Sequence, residues 1–226
     1  MSKKIVACFG CSITGGVSNG QEPRESWPLQ LSLSRPDLIV YNFGLQGSSV
    51  LYTINMIEQA KKQLNPDLII AQIANPVRIT FYSPDFKLNV KRDLLKISEN
   101  YHVIPANTDG IFPINGIIGK KEKREIQQDA EKLARYNLVE NLYMLLEDEN
   151  HFDVEYRALA LRVESLSNFC FVHKEPVRVI EEIQHILCVE KTLGIKFREL
   201  VIDKAFHFGE PGSQWIANWV ADKLKL

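Results

Sequence analysis

Five short apolar runs are spaced along the chain: Lys4 to Phe9, Leu38 to Phe43, Asp67 to Ile73, Asn168 to Val172 and Lys196 to Val201. They are rich in β-branched residues and lack the polar alternation of a half-exposed strand, so they predict buried parallel strands covered on both faces. Helical patterns fall between them. Trp27 to Arg35 follows the start signal Ser26 and carries Pro28 in its first turn, and Ser49 to Leu64 is closed by Asn65-Pro66. Val154 to Leu166 and Val177 to Leu193, stopped by Gly194, come next. A last helix, Gln214 to Leu226, sets Trp215, Ile216, Trp219, Val220 and Leu224 near helical spacing, which predicts one face buried against the sheet. Strands alternating with helices imply an α/β fold, a three-layer α/β/α sandwich around a five-stranded parallel sheet. In such sheets ligands bind beyond the carboxyl ends of the strands.

The stretch from Pro76 to Asn150 breaks this rhythm. It carries Pro84, Pro105, Gly110, Pro113, Gly116 and Gly119, then a charged helical pattern from about Lys121 to Glu149. It reads as an insertion, residues 76–150, within one domain spanning 1–226: a lid, a binding element, an oligomer contact or a solvated arm. With 226 residues, 45% of them hydrophobic, the chain can bury one substantial core. The formal net charge of -1 gives no global field to recruit nucleic acid or an anionic membrane. The apolar run after Met1-Ser2-Lys3-Lys4 is too short for a signal-peptide core or a membrane span, which sets the expectation of a cytoplasmic protein. Cys8, Cys11, Cys170 and Cys188 are too few and too unevenly spaced for a disulfide scaffold, and a reducing compartment fits them better.

Candidate chemistry gathers at the expected strand ends. The first run leads into Gly10-Cys11-Ser12-Ile13-Thr14-Gly15-Gly16, which sets a serine hydroxyl just past a strand among small residues. That is the exposure a nucleophile needs, although a helix cap or turn former uses the same residue types. The second leads into Asn42-Phe43-Gly44-Leu45-Gln46-Gly47-Ser48, where glycine permits close approach of a ligand to the backbone or simply makes a turn. The third leads into Gln72-Ile73-Ala74-Asn75-Pro76, which offers a side-chain amide suited to an oxyanion, or a routine Asn-Pro turn. The last is followed by Asp203-Lys204-Ala205-Phe206-His207-Phe208-Gly209, a carboxylate shortly before a histidine. Such a carboxylate can fix an imidazole tautomer, as in an acid-base-nucleophile triad. Four elements at strand ends, in one order along the chain, describe one site.

Together these residues resemble the SGNH hydrolases, a branch of the GDSL esterases and lipases. Gly10-Cys11-Ser12 with Thr14 is similar to the family's first block, Gly44 to its block-two glycine, Asn75 to its block-three asparagine and His207 to its last-block histidine. The resemblance covers the core strands and the C-terminal segment and leaves out 76–150. It implies a flavodoxin-like strand order, 2-1-3-4-5, and hydrolysis of an ester by a Ser12-His207-Asp203 triad. The oxyanion hole it implies is made by the N–H groups of Ser12 and Gly44 and the Asn75 amide. The sequence departs from the family's pattern in three places. Cys11 stands where the family usually has Asp, the third block is reduced to Ala74-Asn75-Pro76, and the Asp-to-His spacing is stretched by one residue.

The substrate expected from this resemblance is a small-molecule or carbohydrate ester. An acyltransferase using the same site, or a non-catalytic binding module on the same fold, remains open. No metal and no cofactor is expected: His102, His151, His173, His185 and His207 form no pair or carboxylate cluster of ligand spacing. Cys8-Phe9-Gly10-Cys11 matches a redox spacing, but its first cysteine falls inside an expected strand, where it reads as a small hydrophobe. Expected partners are the substrate and, through 76–150, a second copy of the chain, with no nucleic acid and no membrane span.

Overall fold

The computed structural model describes residues 2–16, 26–74, 78–82, 98–103, 111–115, 137, 151–174, 181–202 and 207–226. Its centre is a wholly parallel sheet. β1 (Lys4–Phe9) lies between β2 (Leu38–Asn42) and β3 (Leu68–Ile73), with Val6 facing Val40 on one side and Leu68 on the other. β7 (Phe169–Val172) continues the sheet beyond β3, and the two-residue β8 (Leu187–Cys188) forms that edge. At the opposite edge β5 (Tyr101–Val103) pairs with β2. Consecutive residues Val6, Ala7, Cys8 and Phe9 are all buried, as a strand covered on both faces requires.

The fold is therefore α/β with the order β5-β2-β1-β3-β7-β8, six strands where five were expected. The 2-1-3-4-5 order is kept, with β8 in the fifth place and β5 added beside β2. Two expectations are corrected here. Lys196–Leu200, expected as the fifth strand, is a short helix, in which only Phe197 is buried. The helix expected over Val177 to Leu193 is, from residue 181 on, a 3-10 turn at Glu181–Ile183, then β8, then the helix Val189–Leu193. Ile183, Ile186 and Val189 are buried three residues apart, which imitates a helical stripe in the sequence.

Helices flank the sheet in two packed pairs. In chain order the described helices are α1 (Ser12–Gly15), α2 (Trp27–Ser34), α3 (Val50–Gln63), α4 (His151–Leu166), α5 (Val189–Leu193), α6 (Lys196–Leu200) and α7 (Glu210–Leu224). α2 packs with α7 and α3 with α4. Ser26 and Ser49 cap α2 and α3 by accepting from the N–H of Leu29 and Tyr52, as the sequence signals predict. α7 begins at Glu210, four residues before its expected start, with Pro211 in its first turn. It buries Ile216, Ala217 and Val220. Within 76–150, β4 (Arg78–Tyr82) and β6 (Ile111–Asn115) form an antiparallel pair. Of the helix expected over Lys121 to Glu149 only Asn137 is among the described residues, and it is helical. No described helix is long and apolar enough to cross a membrane.

Candidate active site

At the end of β1 the chain turns through Gly10, whose φ of +153° is a conformation that L side chains rarely adopt. A Cβ there would collide with the side chains of Thr14 and Gln72. Cys11 then caps α1, accepting at its carbonyl from the N–H groups of Thr14 (3.1 Å) and Gly15 (2.8 Å). Ser12 opens α1 and is 5% exposed. The first N–H groups of a helix have no partner inside it, and the Ser12 N–H has none among the described residues.

His207 reaches this turn from the far end of the chain. Its Nε2 lies 2.8 Å from Ser12 Oγ, across 195 positions of sequence. The backbone around it is tied on both sides: the Ile202 N–H donates to the His207 carbonyl at 2.8 Å and the Gly209 N–H to the Leu200 carbonyl at 3.3 Å. Phe208 sets its ring edge-on to Phe197, 5.5 Å between centroids, just before α7 docks on α2. The position of the imidazole is thus a consequence of packing. Asp203 and Asn75, expected on sequence grounds as the triad carboxylate and the amide donor, lie outside the described residues.

The loop after β2 separates its two glycines. Gly44 is buried against the backbone of α1, where a Cβ would run into Gly15 and Thr14, so a side chain there would push α1 away. Its N–H is engaged, donating to Asn42 Oδ1 at 2.8 Å. Gly47 differs on each count. Its φ is +76°, the space where a Cβ would stand is open, and its N–H has no hydrogen-bond partner among the described residues. The N–H of Gly44, expected as an oxyanion donor, donates to Asn42, and the N–H without a partner among the described residues is three positions on, at Gly47. A second glycine in Gly44-Leu45-Gln46-Gly47 was the only sequence signal for it.

A buried polar network holds these pieces together. Asn42 Nδ2 donates to the Thr14 carbonyl (2.9 Å) and to Tyr101 Oη (2.8 Å), tying β2, β5 and α1. Tyr101 Oη is 3.0 Å from Ser26 Oγ, and Trp27 Nε1 donates to Thr14 Oγ1 at 3.2 Å. Gln72, buried on β3, meets both Cys11 and Thr14. Cys8, Cys11, Cys170 and Cys188 are free thiols. Burial pushes the Cys8 thiol well above the ordinary range and, with a smaller contribution from the nearby Glu164 charge, pushes Cys170 up to about 11. Among the described residues no group of three or more His, Cys, Asp or Glu could hold a metal ion.

No protein-family model matches the chain, and no curated protein does. Solved structures do. A catalytic mutant of the acetylxylan esterase Axe2 from Geobacillus stearothermophilus is 12% identical, with 100% of this chain and 95% of that one covered at a TM-score of 0.45. A member of the lipolytic protein G-D-S-L family from Veillonella parvula DSM 2008 is 14% identical, with 97% and 96% covered at 0.42. AlinE4, an SGNH-hydrolase family esterase, is 11% identical, with 100% and 96% covered at 0.40. Along nearly its whole length, the chain is similar in structure to solved SGNH- and GDSL-type proteins.

Proposed function

We propose that this chain is a serine hydrolase that cleaves an ester, an acyl or O-acetyl group on a small molecule or carbohydrate, with Ser12 as nucleophile and His207 as its base. The observation that carries this reading is the 2.8 Å approach of His207 Nε2 to Ser12 Oγ, at the carboxyl end of β1. A nucleophile and base within hydrogen-bond reach are what acyl transfer requires. As Ser12 Oγ attacks the carbonyl carbon, its proton passes to His207 Nε2. The oxyanion is received by the N–H groups of Ser12 and Gly47, which have no partner among the described residues. Collapse breaks the bond to the leaving alcohol, which takes the proton from His207. Water repeats the attack on the acyl-enzyme, releasing the acid and restoring the serine.

Asp203 is assigned to orient the imidazole, and the Asn75 amide to serve as a third oxyanion donor, both from the sequence pattern. Gly44 is given a packing role, since its N–H already serves Asn42. The test is hydrolysis of p-nitrophenyl esters from acetate to octanoate by the wild type, Ser12→Ala and His207→Ala. Each substitution is expected to remove on the order of a millionfold in rate if the pair acts as a unit. A Ser12→Ala protein with wild-type turnover would overturn the assignment.

A further inference from the structure

Gln72 is a polar residue in an otherwise apolar strand, and none of it is exposed. Its Oε1 accepts from the Cys11 N–H at 3.1 Å and lies 3.2 Å from both the Cys11 thiol and the Thr14 hydroxyl. The Cys11 N–H can only donate, which fixes the amide with its oxygen toward α1 and its nitrogen away. Nε2 then donates to the Ile73 carbonyl at 3.4 Å and to His173 Nδ1 at 3.2 Å. An accepting Nδ1 makes His173 a neutral ring with its proton on Nε2. One buried amide thereby ties the turn after β1 to the ends of β3 and β7.

From this geometry we infer that Gln72 is a positioning residue for Ser12, its side-chain oxygen anchoring Cys11 and Thr14 on either side of the nucleophile. The inference rests on the serine-hydrolase reading and goes beyond it. Gln72 has no hydrogen bond to Ser12, so its effect passes through the turn. The same contact accounts for the cysteine that replaces the resembled family's aspartate. A carboxylate at position 11 would face Gln72 Oε1 with no proton between two acceptors, whereas a thiol supplies one. Cys11 and Gln72 are matched.

The test compares Gln72→Met, which keeps the length of the side chain and loses its hydrogen bonds, with Gln72→Glu, which keeps an acceptor toward Cys11 and Thr14. A misplaced reacting atom costs about a hundredfold when it moves by about 1 Å. Gln72→Met is expected to lower kcat by about that much with KM within roughly twofold of wild type, and Gln72→Glu to recover about tenfold of the loss. Thermal melts establish that the variants are folded at the assay temperature. A folded Gln72→Met protein with kcat within about threefold of wild type would overturn the role, as would Gln72→Glu recovering nothing. Should Gln72→Met not fold, Cys11→Asp takes its place: the same fall in kcat is expected, and wild-type kcat would refute the inference. A wild type that neither turns over esters nor labels with a fluorophosphonate would overturn the hydrolase reading and the positioning role with it. An active wild type beside a fully active Gln72→Met protein would overturn the positioning role alone.

Discussion

Asn42→Ala is the perturbation whose size follows most directly from the structure. Asn42 has no exposed surface, and its side chain makes three hydrogen bonds: Nδ2 to the Thr14 carbonyl at 2.9 Å and to Tyr101 Oη at 2.8 Å, and Oδ1 from the Gly44 N–H at 2.8 Å. Alanine removes all three and returns no water, because the groups it abandons are themselves buried. At about 1 kcal/mol net per bond, rising where a buried group loses its partner, the loss is about 3 kcal/mol. For a domain of this size that corresponds to a fall of roughly 6 to 12 °C in Tm. Thermal unfolding followed by near-ultraviolet circular dichroism measures the shift. If Asn42→Ala melts within about 2 °C of wild type, the three bonds are not formed together and the network that seats α1 is misdescribed.

Other substitutions separate the remaining roles. Gly44→Ala drives a methyl into the backbone of α1, whereas at Gly47 the same methyl meets open space. Gly44→Ala should therefore cost 1 to 3 kcal/mol or more on the order of other overpacked cores, and Gly47→Ala only about 1 to 2 kcal/mol, the penalty of a left-handed L residue. Urea denaturation of the pair checks the ranking. Raised thiol pKa values keep Cys8 and Cys170 protonated near neutral pH, and Cys11 is buried, so iodoacetamide at pH 7.5 should leave esterase turnover intact in the native protein. Rapid inactivation by the thiol reagent would count against a serine nucleophile. Arg162 and Glu58 pair at 2.9 Å between α4 and α3 with both side chains about half exposed, so Glu58→Gln should change stability by less than about 1 kcal/mol in a denaturant titration.

Strands β1, β2, β3 and β7 were legible because burial writes itself into sequence as a mostly apolar run, in which Asn42 and Gln72 are the buried polar exceptions. The edges were not. β8 has two residues and β5 three, too few to leave a period, and their pairing comes from position beside a formed sheet. Lys196–Leu200 misleads in the other direction: Phe197, Leu200 and Val201 read as parts of a strand, although the segment, with Lys196, Arg198 and Glu199 beside them, coils as a helix. At the site, Ser12 and His207 stood out because both follow strand-like runs and carry recognisable chemistry. What sequence could not rank was Gly44 against Gly47, because the difference lies in which N–H another side chain has already taken. Gln72 left a signal that goes with its role: a lone amide at the end of a strand that otherwise buries only apolar groups.

The most direct test of the central claim is covalent. Wild-type protein treated with a fluorophosphonate and read by intact mass and peptide mapping is expected to carry one phosphonyl group, on Ser12. His207→Ala treated in parallel should label far more slowly, since the hydroxyl has lost the base 2.8 Å away. A folded wild type that takes no label, or an adduct on any residue other than Ser12, would contradict the account.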